Sequence, residues 1–418
     1  MRLAERPTYL SSEEPLSRPT IRTDDGRISS LIAQHGSPLL LIDCDVVRRQ
    51  YRRLAAALPG VQLHYAIKAF PHPAVISALW KEGSSFDASS SLEIRTLLSL
   101  GVPPQRWLHT HPIKRPDEIR EAIELGCRSF VVDNAAEIKK LADVRGRATG
   151  VLRIGFRSSD AGVDLSRKFG CHVEDALGLL ELGHRLEVPI TGLAFHVGSQ
   201  CATPGGHVKA IADCLVLAKQ ANEAGLPPIQ MLDIGGGFPA RYDIPVPEIE
   251  EFCAPIREAI SAVPGNMRVV AEPGRFLVAS AGEGVATIVG KTCRDGAPWY
   301  YLDDGVYGSF NGVVYDVVRY PLTVLSRSTG ECKPSVLAGP TCDSIDIIAD
   351  GVLLPELEIG DIVVGAGMGA YTAASASEFN SIPRTKVVIL NPLAPSESSQ
   401  GTSPEARSVT ERLTMGSR

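Results

Sequence analysis

An α/β barrel of the TIM type followed by a C-terminal β domain is the fold this sequence predicts, and three observations predict it. From Pro59-Gly60 onward, short apolar runs alternate with helical patterns about eight times, which implies a parallel sheet and fits a closed eight-stranded barrel better than an open one. After about Ala279 the helical patterns stop and short apolar runs follow one another between turn signals. The polar residues in between collect at the carboxyl ends of the predicted strands, where such barrels carry their sites.

The elements follow in order. Residues 1–37 are a polar, proline-dotted lead-in expected to pack on the β domain. The barrel is expected over 38–280. It opens with the apolar run Leu39–Asp43 and a helix capped by Asp45. Strands are predicted at Leu63–Ile67, Ser85–Ser89, Trp107–Thr110, Phe130–Asp133, Val151–Gly155, Leu193–Val197, Met231–Ile234 and Arg268–Ala271. Helical patterns fill the gaps: 74–80, 91–100, 116–125, 135–144, 173–186, 207–224 and 247–262. The β domain, a sandwich or barrel, is expected over 281–391 from the runs at 284–290, 299–302, 335–337, 361–364 and 385–389. The tail 392–418, rich in Ser, Pro, Glu and Gly, is expected to be disordered.

Bulk properties exclude several functions. A net charge of -6 without a basic run argues against a nucleic-acid partner. No stretch approaches the ~20 apolar residues of a membrane span, and the N-terminus lacks the apolar core of a signal peptide. Nine scattered cysteines without Cys-x-x-Cys form neither a disulfide framework nor a metal site. A cytoplasmic protein with reduced thiols and no metal is expected.

The apolar run Leu63–Ile67 ends on Lys68, and proline then breaks it. A lysine at a buried strand end is unusual. An amine beside apolar walls has a lowered pKa and can form an imine; equally, such a lysine can reach out to solvent. Asp87, Arg153, His196, Asp233 and Glu272 fall at or beside the ends of other strands. Each could be a helix cap or a satisfied core residue. Gly235-Gly236-Gly237 lacks the spacing of a dinucleotide loop, and a plain turn explains it as well. With Ser199 and Arg275 it can also make an anion site. Phosphate, imine lysine, a histidine covering a ring and a carboxylate for a ring nitrogen together describe pyridoxal 5'-phosphate.

Tyr65-Ala66-Ile67-Lys68-Ala69, Phe86-Asp87-Ala88-Ser89, His196-Val197-Gly198-Ser199, Leu232 to Phe238 and Ala271-Glu272-Pro273-Gly274-Arg275 occur in the order found in the fold-type III pyridoxal-phosphate decarboxylases. The sequence resembles that family, the ornithine/diaminopimelate/arginine decarboxylase group, over about residues 38–390. The resemblance implies an alanine-racemase-type barrel, with Lys68 bonded to the cofactor, His196 on its ring and Glu272 at its ring nitrogen. Ser199, Gly235, Gly236, Gly237 and Arg275 would hold the phosphate, with Asp87, Arg153 and Tyr371 completing the cofactor set.

In the β domain, Asp304 to Asn311, Tyr315-Asp316, Gly339 to Ser344 and Met368 to Thr372 look most like the ornithine branch. The diaminopimelate branch has Cys-Glu where this chain has Cys342-Asp343. The resemblance implies a homodimer with shared active sites, in which Cys342 from the partner reprotonates the substrate carbon. Asp316, Asp343 and Tyr315 would bind the substrate's distal amine. The expected reaction is decarboxylation of a basic L-amino acid, ornithine first and lysine second, as in polyamine synthesis. Alternatives are a modified diamino acid of a specialised pathway, diaminopimelate, or a homologue without catalysis. Racemisation is disfavoured, because it calls for a basic residue where Glu272 stands.

Overall fold

A computed structural model describes residues 18–156, 161–163, 165–316 and 318–393. The chain divides into two units. One holds Val47–Pro239 and Val246–Leu277; the other holds the residues through Val46, Ala240–Pro245 and those from Val278 on.

The first unit is a closed barrel of eight parallel strands. In chain order they are β1 Gln62–Ala66, β2 Ser85–Ala88, β3 Trp107–His109, β4 Ser129–Val132, β5 Thr149–Ile154, β6 Ile190–Phe195, β7 Met231–Asp233 and β8 Arg268–Ala271. The barrel closes where Val270 and Ala271 of β8 pair with Gln62 and Leu63 of β1. Leu108, Val131, Val151, Ala194, Met231 and Val270, one from each of six strands, form a buried cluster, so the barrel is a packed core. Gly192 makes room within it, since a Cβ there would meet Met231 and Val151 side chains at 3.0 and 3.3 Å. All eight strands lie where the sequence predicts them, and a helix follows each.

Local chemistry starts several of those helices just past the strand ends. His72 Nδ1 accepts the Ala74 N–H at 3.2 Å, with Pro73 at the first helical position. Ser90 Oγ accepts the Glu93 N–H, and Glu93 reaches back to the Ser89 N–H. Asn134 caps Ala135–Ala142. These caps seat the helices so that the β-to-helix loops all open on one face.

The second unit is built on nine connected strands. The long strand Gly282–Arg294 pairs with Leu39–Asp43 and Ile362–Ala366 along its first half. Past an irregularity at Ile288/Gly290 it pairs with Ala297–Leu302. The mostly-sheet second domain is thus present, and Leu322–Leu325 and Ile347–Leu354 are strands that the sequence reading lacks. Three expectations are corrected. Leu39–Asp43 does not open the barrel but joins this sheet, where its unbroken apolar run is buried against Ile28, Val285, Leu325 and Val364. The lead-in also holds a helix, Gly26–His35, capped by Asp25, with Ile28 buried and Leu31 and Ile32 against the same core. Thr20–Arg22 pairs with Leu322–Leu325. The helix start at residue 44 uses Asp43, whose Oδ1 accepts the Asp45 N–H at 2.8 Å, rather than Asp45. The expected disordered tail falls, from residue 394 on, outside the described residues.

Among the described residues no helix is long and apolar enough to cross a membrane. No group of three or more His, Cys, Asp or Glu among them could hold a metal ion.

Candidate active site

The carboxyl ends of the barrel strands bring the sequence-predicted cofactor residues of this unit to one face. β1 ends at Ala66, and a single tight turn, Ile67–Ala69, carries Lys68. Its side chain is 43% exposed and pairs with Asp87 at the end of β2. That corrects one expectation: what faces the amine is a fully buried carboxylate, not an apolar wall. Asp87 Oδ2 takes Lys68, while Oδ1 accepts the Thr110 hydroxyl from just past β3. Thr110 is a residue that sequence reasoning missed; its place one residue beyond a strand end is the signal that could have found it.

On the side of β1 away from Asp87, Glu272 follows the neighbouring strand β8 and Asp233 ends β7, the strand beyond it. Burial pushes Asp233 up to about 7, and burial together with the Asp233 charge pushes Glu272 well above its ordinary value. Two desolvated carboxyls this close cannot both ionise unless a cation or a proton lies between or against them. Asp233 Oδ1 is fixed by the Gly235 N–H at 2.9 Å. Arg153 on β5 feels the charges of Glu272, Asp133, Asp87 and Asp233, although burial still lowers its pKa.

His196 follows β6. Its Nδ1 accepts the Gly198 N–H at 3.1 Å. Burial, then the Arg153 and Lys68 cations, lower its pKa well below the ordinary value. The ring is therefore neutral with its proton on Nε2. Ser199 Oγ accepts from Arg275 Nε and Nη2 at 3.3 and 3.2 Å, which joins two predicted anion ligands.

Steric contact explains the glycine run more directly than anion approach alone. A Cβ at Gly235, where φ is +66°, would collide with the Phe195 carbonyl oxygen. At Gly236 it would lie 2.8 Å from the Glu272 carbonyl oxygen, and at Gly237, with φ +95°, 2.7 Å from that of Gly198. The run lets the ends of β6, β7 and β8 close together, which is what places His196, Asp233 and Glu272 side by side.

This donor set fits pyridoxal phosphate. An amine stands at one side, a guanidinium and a hydroxyl offer an anion site, and a neutral imidazole face lies at the same rim. The raised Asp233–Glu272 pair calls for the positive N–H that a pyridinium provides.

Residues 44–279 match the pyridoxal binding domain of the pyridoxal-dependent decarboxylases. The chain belongs to this family. It is a pyridoxal-phosphate-dependent carboxy-lyase of the ornithine/lysine branch. Its relatives include the lysine/ornithine decarboxylase of Selenomonas ruminantium, 35% identical over 86% of this chain and 91% of that one. Antizyme inhibitor 2 of Xenopus laevis is 36% identical over 84% of this chain and 80% of that one. The crystal structure of lysine/ornithine decarboxylase from Vibrio vulnificus, complexed with putrescine, is 48% identical, with a TM-score of 0.83 over 87% of this chain and 97% of that one.

The remaining predicted residues lie in the other unit. Cys342 is exposed. Asp343 Oδ2 accepts the Tyr307 hydroxyl, which lowers the acid's pKa and pushes Tyr307 up to about 12. Tyr315 is 68% exposed and close enough to Tyr307 for their charges to interact. Asp316 ends the short helix Gly312–Tyr315. Tyr371 sits at φ 60°, a left-handed backbone that a bulky residue rarely adopts and that marks functional segments.

Proposed function

We propose that this enzyme decarboxylates ornithine, with lysine as its second substrate, and that it works as a homodimer with shared active sites. The observation that carries the reading is the Asp233–Glu272 pair on the same barrel face as Lys68 and Arg275, since a protonated ring nitrogen is a cation that such a pair would receive. Supporting it is the likeness to the lysine/ornithine decarboxylases of Selenomonas and Vibrio.

Bound pyridoxal phosphate supplies an electron sink for the charge left on the substrate's Cα as the carboxylate departs. Lys68 bonds the cofactor through Nζ, with Asp87 and Arg153 ordering the charges around it. Arg275, Ser199 and the backbone of Gly235, Gly236 and Gly237 bind the phosphate, with Tyr371 reaching it as well. His196 covers the ring face as a neutral imidazole, so it adds no charge there. Glu272, backed by Asp233, holds the proton on the ring nitrogen. Cys342 of the partner subunit delivers a proton to Cα. Asp316, with Tyr315 beside it, and Asp343 of the partner subunit receive the substrate's distal ammonium.

A panel of ornithine, lysine, arginine and diaminopimelate, assayed for carbon dioxide and amine, tests the substrate. Ornithine and lysine should be consumed, and diaminopimelate refused because its distal carboxylate meets the aspartates. Faster use of diaminopimelate than of ornithine and lysine would overturn the branch reading. Asp343→Asn should lower kcat/KM for ornithine by about 10–100-fold, the loss of one charge-assisted hydrogen bond, and leave cofactor binding intact.

Mixing inactive Lys68→Ala with inactive Cys342→Ala tests the dimer. Hybrid dimers should regain part of the activity, because one of their two sites is whole. Freely exchanging subunits without any recovery would sink the shared-site arrangement.

A further inference from the structure

We infer that Asn380 is a positioning residue for Cys342, holding the thiol in place and stabilising the sulfur once its proton has left. The inference rests on the reading above that Cys342 is a proton donor.

One side chain engages Cys342 twice. The Cys342 N–H donates to Asn380 Oδ1 at 3.0 Å, and Asn380 Nδ2 donates to Cys342 Sγ at 3.3 Å. The first bond fixes the amide's orientation, since a backbone N–H can only donate, so the NH2 group must face the sulfur. Asn380 stands at φ 56°, left-handed backbone that asparagine tolerates better than most residues. Its neighbour Phe379 stacks on Tyr307 at 4.5 Å between centroids, and Tyr307 donates to Asp343. The pair 379–380 therefore grips both residues of Cys342-Asp343. At the base of the same loop, Asp346 Oδ2 accepts the Thr341 N–H and hydroxyl at 3.0 and 2.7 Å.

The chemistry gives the second bond a purpose. As Cys342 protonates the substrate carbon, its S–H bond breaks, a C–H bond forms at Cα, and the electron pair stays on sulfur. An N–H aimed at that sulfur favours the thiolate left behind. A loop tie alone would need only the backbone bond.

Asn380→Asp separates the two roles. It suits the same backbone and keeps an oxygen for the Cys342 N–H, but it replaces the sulfur's donor with a carboxylate. The holoenzyme is treated with iodoacetamide, and the labelling of Cys342 is read by peptide mass spectrometry against Cys293, which is also exposed. The Cys342/Cys293 ratio should fall roughly tenfold in Asn380→Asp, with kcat falling by a similar factor and KM changing less than about threefold. Asn380→Gly, which removes both bonds and fits the positive φ, should lower the ratio too. A purely structural role predicts the opposite: a ratio unchanged in Asn380→Asp and raised in Asn380→Gly as the loop loosens. That result overturns the inference. Cys342→Ala is measured alongside; normal turnover there refutes the role of Cys342 itself, whatever the labelling shows.

Discussion

Lys68→Ala should abolish turnover, lowering it by more than about a thousandfold, which corresponds to over ~4 kcal/mol of lost barrier reduction. It should also remove the absorbance band that the lysine-bonded cofactor gives near the visible edge. The barrel should stay folded. Lys68 lies on a turn outside the strand and is 43% exposed, so its removal opens no core cavity. What it does leave is Asp87, fully buried, with the Thr110 hydroxyl on its other oxygen. The lost partner was solvent-screened, so a modest fall in melting temperature is expected. Lys68→Arg is the control that separates charge pairing from bonding. A guanidinium restores a cation beside Asp87 but offers no transferable amine. It should recover the melting temperature and stay inactive. Near-normal turnover in either variant would remove Lys68 from the chemistry and with it the cofactor assignment of the site.

The barrel was legible because a parallel strand buried on both faces must be an unbroken apolar run, and a helix must follow each one. Val151 and Leu232 sit in runs of that kind. The ends were less legible. Lys68 read as the last strand residue because an apolar run does not show where the ladder stops, and the ladder stops at Ala66. Leu39–Asp43 misled for a related reason: a buried strand reads alike whether its neighbours come from a barrel or from a sheet formed with residues more than 200 positions away. The helix Gly26–His35 was missed although Asp25 and the spacing of Ile28, Leu31 and Ile32 mark it, because the polar composition around it hid a narrow apolar stripe. Single strand-end residues such as Asp87 and Glu272 were readable by position. Their partners were harder to read: Thr110, beside Asp87, has only its place one residue past a strand end to mark it, and Asn380, which bonds Cys342, carries no chemical signature in sequence and matters only through what the fold sets beside it.

Glu272→Gln should lower kcat by about 100-fold, the scale on which removing one preorganised charge acts in a dry site. The amide keeps the shape and can still hydrogen-bond, but it cannot hold a proton on the ring nitrogen by charge. The same substitution should change how the cofactor-free protein responds to pH, and the sign follows from the raised carboxyls. Asp233 ordinarily titrates near 3.8 and rises to about 7 in the fold, with Glu272 raised as well. Between about pH 4 and pH 7 the folded barrel therefore binds more protons than the unfolded chain, so this pair makes stability fall as pH rises; the share of Asp233 is lost by about pH 7, and the raised Glu272 carries the fall in the same direction. Removing Glu272 takes away one member of the pair and the repulsion it exerts on Asp233. Urea denaturation of cofactor-free protein should then show a shallower decline from pH 5 to pH 8 in Glu272→Gln than in the parent, with the variant the more stable of the two at pH 8. Turnover and stability would move in opposite directions, as expected where a site keeps an unfavourable charge pair for its ligand. Parallel pH profiles for parent and variant would mean that the pair does not share a proton in the empty barrel. Unchanged kcat would mean that Glu272 does not face the ring nitrogen.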